Sequence, residues 1–134
     1  MLTDLEERDM LLEEVRRGYQ SAKDSNTLAF SKYYRVENRN EVLGATSCFA
    51  EHLNETVYLL TKDSETCGAV RVQRGTLLRH CEAVLGIDGD AILVLSQDRT
   101  QGFVLDYTPD DPDNCYELTV WGGTWPLKIL TCNR

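Results

Sequence analysis

The feature that most constrains the fold is residues 90–96, DAILVLS, whose apolar side chains fall on both faces of an extended chain. A half-solvated strand alternates apolar with polar, so a run apolar on both faces reads as the central strand of a sheet. Residues 102–108 follow a polar loop at 97–101 and read as its antiparallel neighbour. Upstream, 56–62 and 68–72 form a second pair around a polar turn at 63–66. Residues 75–85 return to helical spacing through Leu77, Leu78, Cys81 and Leu85. Gly86 suits the left-handed residue that ends a helix, and Asp88-Gly89 supplies the turn into the central strand.

The N-terminal third is helical in texture. Thr3-Asp4-Leu5-Glu6 is a capping box, and Leu5, Leu12, Val15, Tyr19 and Ala22 follow on one stripe of a helix. Asp4 with Arg8 and Glu13 with Arg17 are spaced to pair at i, i+4 on its outer face. Residues 28–36 carry both signals: Leu28, Phe30, Tyr34 and Val36 alternate, whereas Ala29 and Tyr33 allow a helical turn, and the reading adopted is helix. Asn40 can cap a second helix to about Leu53, with Val42, Thr46, Phe49 and Leu53 on one face.

Gly122-Gly123 between two apolar runs predicts a closing hairpin of 116–121 with 124–129. A two-residue turn places Tyr116, Leu118 and Val120 on one wholly apolar face. Glu117, Thr119 and Trp121 then take the other face, with Glu117 opposite Lys128. Pro126 lacks an N–H and assigns the last strand to an edge. Trp121 is then either an exposed binding anchor or a core residue beneath a helix. The fold class expected is α+β: two or three N-terminal helices, then a mostly antiparallel sheet of five or six strands with one inserted helix. The 134 residues make a single domain, 1–134.

Charge narrows the partners. Twenty-two Asp and Glu against 14 Lys and Arg leave a net −8, a field that repels phosphate backbones and anionic lipid, so neither nucleic acid nor membrane is expected. The first ten residues carry four acids and no apolar run, unlike a signal or transit peptide, and the longest apolar run is 91–95. A cytoplasmic location is expected, which makes the Asn54-Glu55-Thr56 sequon accidental. Five cysteines, Cys48, Cys67, Cys81, Cys115 and Cys132, show no CxxC spacing and read as reduced thiols.

The densest charge is Asp106, Asp110, Asp111, Asp113 and Glu117, five acids in twelve residues without a Lys or Arg. It fails the EF-hand pattern, because counting from Asp111 the fifth position is Cys115, and Tyr116 replaces the required Gly. Asp110-Asp111-Pro112-Asp113 is also ordinary turn chemistry. Cys48 and His52 share a helix face but lack further ligands at a zinc spacing; His80 and Cys81 diverge by about 100° around a helix. Arg71, Arg74 and Arg79 with His80 form the one locally basic stretch and are read as offsetting the chain's own acids. No GxSxG, P-loop, GxGxxG or HExxH motif occurs.

The sequence therefore predicts a small acidic protein-binding module that neutralises or escorts a basic macromolecular partner, as an inhibitor or immunity-type protein would. Its candidate contact residues are Trp121 with Asp106, Asp110, Asp111, Asp113 and Glu117. No catalytic residue, metal or cofactor is assigned. The two alternatives are an enzyme or small-ligand binder with a pocket between sheet and helices, and a homodimer subunit burying both faces of the closing hairpin.

Overall fold

A computed structural model describes residues 5–24, 29–47, 56–60, 70–73, 91–108 and 110–127. Their order is α1 (Leu5–Lys23), β1 (Ala29–Tyr34), a 3-10 turn (Val36–Asn38), α2 (Arg39–Ser47), β2 (Thr56–Leu60), β3 (Val70–Gln73), β4 (Ala91–Ser96), β5 (Gly102–Tyr107) and β6 (Tyr116–Trp121). The strands form one six-stranded sheet in the order β1-β6-β5-β4-β2-β3, and every pairing is antiparallel. This is an α+β fold. β4 lies inside the sheet between β5 and β2, as its two apolar faces demand. Residues 56–59 pair with 70–73, and 91–95 with 102–106, as read from the sequence.

The sheet has two buried faces. α1 covers the first with Leu11, Val15 and Ala22, packed on Tyr58, Leu60, Leu95 and Trp121. On the second face Val42 of α2 and Trp125 join Val57, Ile92, Val94, Phe103, Leu105, Leu118 and Val120. β6 is buried at all six positions because both of its faces and both of its edges are covered. The buried residues of α1 are Leu11, Val15 and Ala22, with half-buried Gly18 on the same line. Leu5 is 49% exposed, and Leu12 and Tyr19 are half-buried, so the helix is rotated slightly from the stripe read in the sequence. Its outer ion pairs are Arg16 with Glu13 and Arg17 with Glu14, at i, i+3 rather than the expected Glu13 with Arg17.

Two elements differ from expectation. Residues 29–34 form a strand, not a helix, because β6 offers them an antiparallel partner from Tyr34↔Tyr116 to Ala29↔Trp121. That strand stands between the two helices, so the helices do not form one N-terminal block. The closing hairpin is absent for a related reason: β1 takes the edge of β6 that a return strand would have needed. After Trp121 the chain bends instead. Gln101 Oε1 accepts the amides of both Thr124 and Trp125 at 2.7 Å. Residues 125–127 then make a helical turn that buries Trp125 and Pro126. Pro126 therefore starts a helical turn, where its missing N–H is harmless, and is not in an edge strand. α2 begins at Arg39 directly after the 3-10 turn, without a side-chain cap from Asn40.

The turns at 63–66 and 88–89, the helix at 75–85, the Cys48–His52 and His80–Cys81 pairs, Arg74, Arg79, Lys128 and four of the five cysteines lie outside the described residues. The fifth, Cys115, is buried and free, and burial with the nearby Asp111 carboxylate pushes its thiol pKa up. Among the described residues no helix is long and apolar enough to cross a membrane.

Candidate functional site

Alternation along β6 puts Glu117, Thr119 and Trp121 on the face beneath α1, and this decides the fate of half the acidic segment. Glu117 is 7% exposed. Its cross-strand neighbours are Tyr33 and Asp106, not Lys128. Lys23, in the last turn of α1, donates to Glu117 Oε2 at 2.6 Å, and Tyr19 donates its hydroxyl to Oε1 at 3.0 Å. Burial pushes the Glu117 carboxyl pKa upward, but hydrogen bonds from Lys23, Tyr33 and Tyr19 outweigh it and hold the group below its ordinary value. Burial acts to lower the Lys23 pKa, and the Glu117 carboxylate more than reverses this. Burial and the same carboxylate raise Tyr19, while for Tyr33 the hydrogen bond to Glu117 dominates the rise.

This constellation has the outline of a serine–lysine pair, since Lys23 Nζ also reaches Ser31 Oγ at 3.3 Å. Its electrostatics oppose that chemistry. A lysine acting as base must be neutral near the working pH, and Glu117 holds Lys23 protonated. The group is instead a satisfied internal ion pair that ties the C-terminal end of α1 to β6, the strand next to the sheet edge. Glu117 is thus a buried structural residue and not an exposed contact acid. Asp106 is half-buried beside it.

Asp110, Asp111 and Asp113 sit in the exposed β5–β6 loop. Asp111 organises it: its Oδ1 accepts the amides of Asp113 and Asn114, each at 3.1 Å, and its own amide donates to Thr108. The loop is pinned to the corner after β1, where the Val36 amide donates to the Pro112 carbonyl at 3.0 Å. Arg35 stands between Glu37 at 3.0 Å and Asp113 at 3.4 Å. Glu37, far away in sequence, thereby joins the acidic loop, and Val36, 49% exposed, lies against it. Among the described residues no three His, Cys, Asp or Glu side chains converge as a metal site.

Trp121 is 5% exposed and packs under α1, which corrects the reading of it as an outward anchor. Two glycines make its slot. A Cβ on Gly18 would stand 2.0 Å from the indole Nε1, and one on Gly102 would stand 2.5 Å from Cζ2. The acidic loop and Trp121 therefore do not form one site. Trp121 instead reaches a cleft of about 520 Å³ between α1 and the corner where the β4–β5 turn meets the end of β6. Glu14, Arg17 and Ser21 flank the cleft from the helix, and Arg99 and Thr100 from the turn. Arg99 has φ 66°, a left-handed conformation uncommon outside Gly, Asn and Asp. The turn holds it there: Asp98 accepts from Ser96 Oγ, Thr100 N and Thr100 Oγ1, and the Arg99 amide donates to the Ser96 carbonyl at 3.0 Å. The Ser96 hydroxyl, foremost among these bonds, lowers the Asp98 carboxyl pKa. Arg99 then reaches Glu7 at 3.1 Å and lies over the Tyr58 ring at 5.8 Å.

Sequence reading missed this cleft, because its parts come from three separated segments. The available signals were Gly18, unusual inside an otherwise strong helix, and an Arg in a polar turn. Compared with protein-family models, with curated proteins and with solved structures, the chain matches none.

Proposed function

We propose that the protein is a small binding module for a basic macromolecular partner, of the inhibitor or immunity type, and that the partner docks at the corner formed by 35–37 and 110–113. The observation that carries this reading is the juxtaposition of half-exposed Val36 with Glu37 and Asp113, which Arg35 bridges, made by the Val36–Pro112 hydrogen bond, with exposed Asp110 in the same loop. An apolar contact inside a charged rim is the anatomy of a protein interface. Because Asp111 spends its carboxylate on the loop itself, the loop is preorganised, and binding needs little ordering of backbone. The net charge of −8 adds long-range attraction to a basic partner and makes association salt-dependent.

The test separates the acids that hold the loop from those that face outward. Asp110→Lys with Asp113→Lys reverses the rim and leaves the Asp111 turn intact. A basic protein retained from the native host by the wild-type chain at low salt, released by high salt and lost with the reversed rim, supports the reading. Retention that survives charge reversal, or elution indifferent to salt, overturns it.

A further inference from the structure

β1 is the terminal strand of the sheet, so one of its two edges has no strand beside it. The phase of the hydrogen bonds fixes which residues face that edge. The Ser96 amide donates to the Gln101 carbonyl and the Thr108 amide to the Cys115 carbonyl, so along β5 the odd-numbered residues bond to β4 and the even-numbered ones to β6. By the same alternation Tyr116, Leu118 and Val120 of β6 bond to Tyr34, Lys32 and Phe30 of β1. Ser31 and Tyr33 therefore turn their backbone N–H and C=O groups outward. Both residues are exposed, and among the described residues no group bonds those backbone donors and acceptors.

A bare strand edge is a template for another chain, and proteins commonly block it with a lysine. The lysine of this edge is drawn away from it. Lys32 Nζ donates to Glu41 of α2 at 3.1 Å and lies over the Tyr34 ring at 5.0 Å. Tyr33, on the opposite face, is 56% exposed, and its ring is open to a cross-strand side chain. The chain then runs directly into Arg35, Val36 and Glu37, so the free edge and the acidic corner are continuous.

We infer that a basic, extended segment of the partner adds to the free edge of β1 as an antiparallel strand, its backbone bonding to Ser31 and Tyr33 and its cations reaching the acids of the corner. This rests on the reading of the corner given above and specifies how the partner is held. Antiparallel addition continues the pattern of every other pairing in the sheet and gives the stronger ladder. It sets the N-terminal end of the segment beside Tyr34, so the cations precede the paired residues in the partner's sequence. A second copy of this chain is the poorer occupant. It carries the same net −8, and the two-fold register about Lys32 sets like charges opposite each other.

The probe is the peptide Lys-Arg-Lys-Thr-Val-Thr-Val-Thr, titrated into the intact chain and followed by 1H–15N NMR and amide hydrogen exchange. In the free chain the Ser31 and Tyr33 amides are expected to exchange faster than that of Lys32, which donates to β6. The peptide protects Ser31 and Tyr33 saturably and leaves the exchange of Lys32 unchanged. The same peptide N-methylated along its Thr-Val run keeps its charges, loses its donors and binds about tenfold more weakly or worse. Ser31→Pro, at an edge position where proline is tolerated, removes one outward amide and weakens the unmodified peptide to the same extent. Equal binding of the N-methylated peptide, or binding without protection of Ser31 and Tyr33, overturns strand addition and leaves the corner reading in place. Protection that survives Asp110→Lys with Asp113→Lys overturns the corner reading and leaves the edge. Ser31 and Tyr33 amides already as slow as that of Lys32 in the free chain overturn the free edge, and a protection that grows with protein concentration assigns it to a second copy. No saturable binding overturns the inference, and the corner then stands or falls on retention of the host protein alone.

Discussion

Gly18 stands in the middle of α1, where glycine ordinarily costs a helix about 1 kcal/mol relative to alanine. Helix propensity alone therefore expects Gly18→Ala to stabilise. The packing reverses that sign, because the new Cβ would lie 2.0 Å from Trp121 Nε1, and the indole is clamped on its other side by Gly102. Gly18→Ala should destabilise by about 2 kcal/mol, the range of an overpacked core, as read from the urea midpoint. A midpoint at or above wild type would refute the slot. Glycine in a helix is legible in the sequence as an anomaly, but its reason is not, since Trp121 lies 103 residues away along the chain.

Among the elements, β6 best separates local from distant information. Its alternation is written in the sequence: Tyr116, Leu118 and Val120 do share one face, and Glu117, Thr119 and Trp121 the other. The partner of that strand is not written there. Gly122-Gly123 satisfies a hairpin turn as well as it satisfies the observed bend; β1 on the edge of β6 excludes the hairpin, and Gln101 fixes the bend that replaces it. Its carboxamide oxygen holds the Thr124 and Trp125 amides and steers the chain onto the second face of the sheet, where Trp125 meets Phe103 with ring centroids 6.3 Å apart. Gln101→Ala should leave both amides without that acceptor and cost about 1–2 kcal/mol. Hydrogen exchange at Thr124 and Trp125 should rise above that of β6, whereas Gln101→Glu, which keeps an acceptor oxygen, should restore the protection. Unchanged exchange in the alanine variant would assign the bend to another cause. Residues 28–36 make the same point. Their mixed pattern became a strand because one edge of β6 was available, a fact that a nine-residue window does not contain.

At the scale of the whole molecule the acidic balance acts in two directions. The exposed acids shape encounters with partners, while Glu117 has been drawn inside and acts on stability. Its native pKa lies below the ordinary 4.5, so its contribution is complete above that value and is lost as the pH falls through the depressed native one. Lys23 has the opposite sign: its native pKa lies above the ordinary 10.5, so its contribution is complete below that value and is lost as the pH rises through the native one. The pair therefore spans the neutral range and fails at both extremes. Glu117→Gln should cost about 1–2 kcal/mol at neutral pH. It should also reduce the steepness of the acid limb, by at most ~1.4 kcal/mol per pH unit for one proton. Part of the slope should remain, because Asp98 is also depressed. An acid limb identical to wild type in urea melts between pH 3 and 6 would remove Glu117 from this role.

Periodicity and turn chemistry, read from the sequence alone, determined the α+β class, the central position of β4, the pairing of its neighbours and the two faces of β6. Those properties depend on residues within one element or its immediate successor. Tertiary structure alone decided that 29–34 is a strand, that Trp121 and Glu117 are interior, that Glu37 joins the acidic loop, and that Gly18, Arg99 and Trp121 share a cleft. Each of these rests on a contact between segments tens of residues apart, and a one-dimensional pattern carries the preference for burial or extension without naming the surface that supplies it.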